Sequence, residues 1–270
     1  DRETGMVLWS RAEDADLSRV GVLATQSRMA AELASALAAP YGIVTRLEQE
    51  RARAVAVGSD ADAYRCTLRF YAYREAMSAE QHAEVRACLT RVVERYPSFA
   101  TAWAMLAWLE IDEDRFELNR SPDATPAIDR ALGAARRAVG IDPDNPRAAQ
   151  ALMMALFLSG AQAEALRVGE QAVAEHPHDS ELLAEFGLRV ALLGNIERGM
   201  ALMRQGLAGN PARAGQYRAT LAVMAYLHGD YHGTLAELRQ SSQQELGMYY
   251  LFAAMSYAQL GMMEEARKAA

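Results

Sequence analysis

Apolar residues in this chain recur at helical spacing and are interrupted at intervals by the same punctuation. In Leu152-Met153-Met154-Ala155-Leu156-Phe157-Leu158-Ser159-Gly160 they run all round the helix, as in a segment packed between neighbours, and Gly160 supplies a left-handed end. Ala161-Gln162-Ala163-Glu164-Ala165-Leu166 reopens a helix that continues to Glu175 and stops before Pro177, where a proline removes a helical hydrogen bond. Leu192-Leu193-Gly194-Asn195 and Gly209-Asn210-Pro211 repeat both marks. Gly160 and Gly194 lie 34 residues apart, as do Pro177 and Pro211. Frames 146–179 and 180–213 therefore each read as helix, glycine turn, helix and closing proline. With a slip of one residue a third unit covers 215–246 and turns at Gly229, and a fourth covers 247–270 and turns at Gly261.

The pattern continues upstream in looser form. Ala102-Trp103-Ala104-Met105-Leu106-Ala107-Trp108 predicts a first helix, and Ala127–Gly140 its partner, ending at Ile141-Asp142-Pro143. Between them lies an insertion, Arg115–Thr125, after which Thr125 and Pro126 read as an N-cap and a first-turn proline. An earlier pair covers 60–77 and 78–96 and closes at Pro97, with Ser78 as N-cap and Gln81 three positions on. Residues 60–270 thus hold about six units. The start is different: Thr4-Gly5-Met6-Val7-Leu8-Trp9-Ser10 reads as a turn and short strand, and Leu17–Ala38 as an amphipathic helix with Val20, Leu23, Ala30, Ala34 and Leu37 on one stripe. One strand and one helix close no sheet, so residues 1–55 are expected to be the C-terminal fragment of an α/β domain. The fold class predicted is an all-α right-handed superhelix of helix-turn-helix repeats preceded by that strand-helix remnant.

Composition changes what the apolar fraction means. The chain is 51% hydrophobic, but 54 of its 270 residues are alanine and only 7% are aromatic, which points to many helices packed closely through small side chains. No run of 18 apolar residues lacks a charge and no basic, apolar leader opens the sequence, so neither a membrane span nor a signal peptide is expected. That favours the cytoplasm, or the periplasm if a membrane span lies upstream. A net charge of −7 with no basic patch beyond Arg136–Arg137 argues against a nucleic-acid surface. Cys66 and Cys88 are too few for a metal cage and carry no sequence signal for pairing; as helical thiols they are expected to be buried and inert.

The repeat units resemble the tetratricopeptide repeat (TPR) family. Its pattern falls on Leu183, Phe186, Gly187, Val190, Gly194, Gly199, Met203, Gly206 and Pro211 in one unit and on Ala149, Leu152, Met153, Leu156, Gly160, Ala165, Gly169, Ala172 and Pro177 in the other. The departures are Gly199 and Gly206 where alanine is usual, Gly169 where a large residue is usual and Met153 where a small one is usual; each glycine inside a helix is expected to weaken its unit by roughly 1 kcal/mol. Residues 1–64, with Thr4-Gly5, Leu8-Trp9 and Asp62-Ala63-Tyr64, are similar to the end of the amino-terminal domain of the TolB translocation protein, as it precedes TPR units in bacterial class III adenylate cyclases and winged-helix transcription regulators. The resemblance implies a signalling or regulatory parent protein. Nothing in this chain would cyclise ATP or grip DNA.

Candidate chemistry is sparse, and no catalytic, cofactor-binding or metal-binding residue is predicted. His228 and His232 have the spacing of a metal pair, but Gly229 separates them across a turn and the zinc-protease pattern is absent. His176 and His178 flank Pro177 in a loop, and His82 lies in a polar stretch and is expected to be solvated. The pairs Glu264–Glu265, Asp112–Asp114 and Asp142–Asp144 sit at predicted helix ends, where acids suit the helix dipole better than general acid/base work. Ser241-Ser242 has no partnered base. An enzymatic site at the Arg115–Thr125 insertion or between the first domain and the stack, with converging His or carboxylate groups, is the competing expectation.

What a repeat stack does create is a concave wall lined by the first helix of every unit. Transferred from the family's second, fifth, ninth, twelfth and thirteenth positions, the wall falls on Arg147, Gln150, Met154, Phe157 and Leu158, then Glu181, Ala184, Leu188, Ala191 and Leu192. It continues on Gln216, Ala219, Val223, Tyr226 and Leu227, then Met248, Leu251, Met255, Ala258 and Gln259. The wall is expected to be apolar with polar ends. Family members that clamp a peptide carboxylate use several cations and asparagines here; Arg147 is the one cation, so a carboxylate clamp is not expected. Methionine and leucine suit an amphipathic helix or an apolar peptide segment. The partner expected is another protein or peptide, with self-covering and dimerisation as the alternatives, and with no nucleic acid, membrane contact or cofactor.

Overall fold

The computed structural model describes residues 21–38, 44–45, 61–120, 125–209, 214–241 and 247–270, and all regular structure among them is helical. Helix α1 is Val22–Ala38, and it touches the outer helix Ile196–Gly209. Six antiparallel pairs follow. They are α2 (Ala61–Ala76) with α3 (Ala79–Arg95), α4 (Ala100–Phe116) with α5 (Ala127–Ile141), α6 (Pro146–Leu158) with α7 (Gln162–Glu175), α8 (Ser180–Leu192) with α9 (Ile196–Gly209), α10 (Ala214–Leu227) with α11 (Tyr231–Arg239), and α12 (Gly247–Gln259) with α13 (Met263–Ala269). The first helix of each pair also touches the first helix of the next, from α2 through α12. These inner helices form one continuous wall, and the chain folds as an all-α TPR-type superhelix. The predicted strand at Met6–Ser10 lies outside the described residues.

The helices begin and end where local chemistry requires. Asn145 accepts from the amides of Arg147 and Ala148, Asp179 from that of Leu182 and Ser78 from that of Gln81, each satisfying donors that a first turn leaves orphaned. At Gly160 and Gly194 the backbone enters the left-handed region, φ 88° and 104°, and the next residue's amide returns to the helix: Ala161 to the Leu156 carbonyl at 2.9 Å and Asn195 to that of Val190 at 3.1 Å. Pro126 is itself the cap of α5, one position later than the sequence predicts: its carbonyl accepts from the amides of Asp129 and Arg130, and no side chain caps that end.

The core is small-residue packing with large plugs. Ala102, Ala104, Ala107, Ala131, Ala135, Ala148 and Ala151 are fully buried around Leu89, Leu109 and Ile111. The glycines that depart from the repeat pattern are points of close contact between helices. A Cβ on Gly169 would lie 2.3 Å from the Phe186 ring, one on Gly206 2.6 Å from the Ser180 carbonyl oxygen, and one on Gly199 2.4 Å from that of Gly187. Gly187 and Gly199 face each other where α8 crosses α9, so the two backbones meet there without side chains between them.

Two expectations fail in the first pair. Cys66 and Cys88 form a disulfide between α2 and α3, with their Cα atoms 5.7 Å apart. Twenty-two residues of separation on two helices gave no cue to this; the antiparallel packing brings the thiols together. His82 is fully buried, not solvated. Its Nε2 lies 2.9 Å from the Leu109 carbonyl and its Nδ1 3.0 Å from the Asn119 amide nitrogen. An Nδ1 that accepts from Asn119 and an Nε2–H that donates to Leu109 satisfy both contacts in a neutral ring. Asn119 also donates to the Ala79 carbonyl at 2.8 Å, so the described start of the insertion is tied to α3.

Candidate functional site

The inner wall divides into two chemically different halves. Its first half, over α2, α4, α6 and α8, is charged and aromatic, which corrects the expectation of an apolar wall with polar ends. Asp112, fully buried, accepts from the Tyr73 hydroxyl at 3.0 Å and from Arg74 at 2.6 and 2.9 Å, and the Arg74 guanidinium lies 4.6 Å from the centre of the Trp108 ring. Burial and the adjacent Asp112 charge push the Tyr73 phenol far above its ordinary pKa, so it remains a donor. Next along the wall, Arg147 pairs with Asp179 and donates to Gln150. Burial alone would raise the Asp179 carboxyl; the Arg147 charge and hydrogen bond and the Leu182 amide outweigh it and hold the group below the usual carboxylate value.

Arg189 completes this half. Only 3% exposed, it reaches the Glu185 carboxylate at 2.6 Å and lies against the Met154 sulfur and the Phe157 ring. Burial, and after Glu185's opposing charge the like charges of Arg115 and Arg74, lower its pKa. Glu181 in turn accepts from the buried Tyr217 hydroxyl at 2.5 Å. The charges on this stretch are thus matched within the fold, as buried charges must be. A recess of about 30 Å³ remains among Tyr71, Trp108, Arg147, Gln150, Glu181 and neighbouring side chains, too small for a ligand group.

The second half is apolar and hollow. A cavity of about 240 Å³ lies between α8, α10 and α12, lined by Leu188, Ala219, Thr220, Val223, Met224, Leu238, Ser241, Met248, Tyr249 and Phe252. No charged residue lines it. Leu192, Leu227, Met248 and Leu251, on the same three inner helices, are each at least half exposed.

The twelve residues expected at the groove fall accordingly. Arg147, Gln150 and Glu181 meet in the charged recess, and Leu188, Val223 and Met248 in the apolar cavity. Tyr226 stacks 5.4 Å from both Tyr231 and Phe252 and supports the cavity from behind. Leu192 and Leu251 are exposed beside it, while Leu158 and Met255 are half-buried. Met154 is 2% exposed beneath Arg189 and does not reach the wall surface, a correction that follows from the long Arg189 side chain folding over it. Sequence reasoning missed Arg74, Asp112 and Arg189. The available signal for Arg189 was its i, i+4 spacing from Glu185 inside a Leu182–Leu192 stretch that is apolar apart from these two.

Among the described residues no group of three or more His, Cys, Asp or Glu is placed to hold a metal ion, and no helix is long and apolar enough to cross a membrane. His228 is exposed, 3.8 Å from Glu197. No protein-family model and no curated protein matches the sequence. The fold is similar to that of solved TPR-type structures. PilW, a widely conserved type IV pilus biogenesis factor, superposes with a TM-score of 0.58 at 16% identity over 78% of this chain and 91% of its own. A thermophilic TPR protein from Thermus thermophilus does so at 0.56 and 18% over 72% and 99%, and PilF of Pseudomonas aeruginosa at 0.54 and 17% over 82% and 90%. At these identities the likeness is one of fold.

Proposed function

We propose that the chain is a non-catalytic protein-interaction scaffold of a bacterial signalling or regulatory protein, and that it holds an amphipathic helix or apolar peptide segment in the concave groove. The observation that carries this reading is the contrast between the two halves of the wall: one has its charges matched internally, the other holds an uncharged cavity on helices that also expose Leu and Met. Apolar surface of that kind on the inner helices of a superhelix is the usual mark of a partner-binding groove. The Cys66–Cys88 disulfide supports an oxidising compartment, the periplasm rather than the cytoplasm, because thiols on adjacent helices stay reduced in a cytosolic redox environment.

Capture of partner proteins by the immobilised wild-type chain, compared with Leu188→Asp and Met255→Asp, tests the groove. A partner whose capture is lost with both variants is bound there; capture that survives both places the contact elsewhere.

A further inference from the structure

The seventh position of the repeat holds a large apolar residue, Leu152, Phe186 and Leu221, in three successive units and Ala253 in the next. Phe186 shows what that position does. It is fully buried in one cluster with Leu166, Val190 and Leu202, and its ring lies at Gly169, where a Cβ would come within 2.3 Å of it. The Arg198 guanidinium, paired with Glu170, sits 5.7 Å from the centre of the ring.

Among the described residues a second cavity, of about 300 Å³, lies between α11, α12 and α13. Its lining repeats the Phe186 site position by position: Leu235 for Leu166, Leu238 for Gly169, Ala253 for Phe186, Tyr257 for Val190 and Ala269 for Leu202. Leu238 adds a side chain that Gly169 lacks, and the cavity persists beside it. Its rim keeps the register but changes the chemistry. Tyr249 and Tyr250 replace Leu182 and Leu183, Arg239 and Glu265 hold the positions of Glu170 and Arg198 with the charges exchanged, and Lys268 stands where Ala201 does. Tyr250 is 49% exposed where Leu183 is 2%, so the cavity opens to solvent.

We propose that this cavity is the docking site for one phenylalanine side chain of a partner protein, which completes this unit as Phe186 completes its own. A cavity of ~150 Å³ is enough to take up benzene, so a single ring fits. Three tyrosines offer it ring faces and edges, and Arg239 and Lys268 supply cations on the solvent side, as Arg198 does at Phe186. An aromatic ring gains from both kinds of neighbour and an aliphatic side chain does not. The site opens beside the outer helices and shares only Leu238 and Tyr249 with the cavity on the inner wall, so it goes beyond the groove reading and does not depend on it.

Toluene, the phenylalanine side chain without its backbone, is titrated into the full chain labelled with carbon-13 at leucine and alanine methyls. Saturable NMR shifts are expected at Leu235, Ala253 and Ala269, which line this cavity and not the inner-wall one. Ala253→Phe, which puts the plug back, is expected to abolish the shifts at Leu235 and Ala269. Where circular dichroism shows that variant misfolded, Ala269→Leu, the counterpart of Leu202, takes its place and is expected to weaken the shifts at Leu235 and Ala253. Leu188→Asp is expected to leave all three in place, so the groove reading and this one fail separately. Random peptides displayed on phage, selected on the wild-type chain and counter-selected on the filled variant, are expected to share a phenylalanine whose replacement by alanine lowers affinity about tenfold or more. No saturable shift at these methyls, shifts unchanged in the folded variant, or a selection that yields no peptide with an aromatic anchor overturns the proposal.

Discussion

Alanine at position 199 is what the repeat pattern favours, and in an isolated helix it would be worth up to ~1 kcal/mol over glycine. In this fold Gly199→Ala is expected to destabilise. The added Cβ would lie 2.4 Å from the Gly187 carbonyl oxygen and 2.6 Å from both the Cβ and the amide nitrogen of Ala191. Two of those three atoms are backbone and cannot rotate away. Restoring ordinary contact of ~3.4 Å requires α9 to retreat from α8 by about 1 Å, which loosens Met200 and Met203 against the core they share with Leu221 and Met224. Overpacking of this kind costs about 1–3 kcal/mol, which offsets the propensity gain and in most of that range exceeds it, so a net loss of up to roughly 2 kcal/mol is expected. Gly133→Ala is the internal control. It sits inside α5 with nothing within 4 Å of the new methyl, and is expected to stabilise by about 0.5–1 kcal/mol. Urea denaturation followed by circular dichroism gives both midpoints. Native-state hydrogen exchange at α8 and α9 localises the effect, since repeat stacks open in parts. A Gly199→Ala midpoint at or above the wild-type value would show that the helix crossing is not held by glycine contact.

Two further outcomes can be checked on the purified chain. Asp179 has a lowered carboxyl pKa in the folded state, so its contribution is complete above the unfolded value near 4 and is lost as pH falls through the lower folded value. Asp179→Asn keeps the cap on Leu182 but not the charge beside Arg147; it should be less stable at neutral pH and show a shallower loss of stability below pH ~4, and an acid limb with wild-type slope would contradict the assignment. Reducing the Cys66–Cys88 bond, which spans 22 residues, should cost about 3 kcal/mol on the chain-entropy account, read as a lower urea midpoint with reductant that Cys66→Ser/Cys88→Ser does not show.

Residues differ in how openly they announced their place. Gly160 and Gly194 could be read directly, because a left-handed turn is a local demand that few other residues meet. The apolar runs of α6 and α8 announced helices buried on several sides for the same local reason. Gly169, Gly199 and Gly206 were visible but misjudged: in one helix a glycine is only a weak position, and its value as a point of close approach exists only once a second backbone is present. Cys66–Cys88, His82–Asn119 and Arg74–Asp112 are non-local pairings of residues with innocuous neighbours in sequence, so periodicity had nothing to say about them. Leu188, Val223 and Met248, at wall positions read from the repeat, line the apolar cavity together, whereas Ser241, which also lines it, follows α11 and belongs to no wall position.

The disulfide also gives the stack a direction. In a linear array each helix pair is held only by its neighbours, so opening normally begins at either end. A covalent tie between α2 and α3 keeps the first described pair joined even when its packing loosens, while α12 and α13 have no such tie. Of the described pairs, α2 and α3 therefore separate least readily on local opening, while the pairs around the apolar cavity open without such a tether.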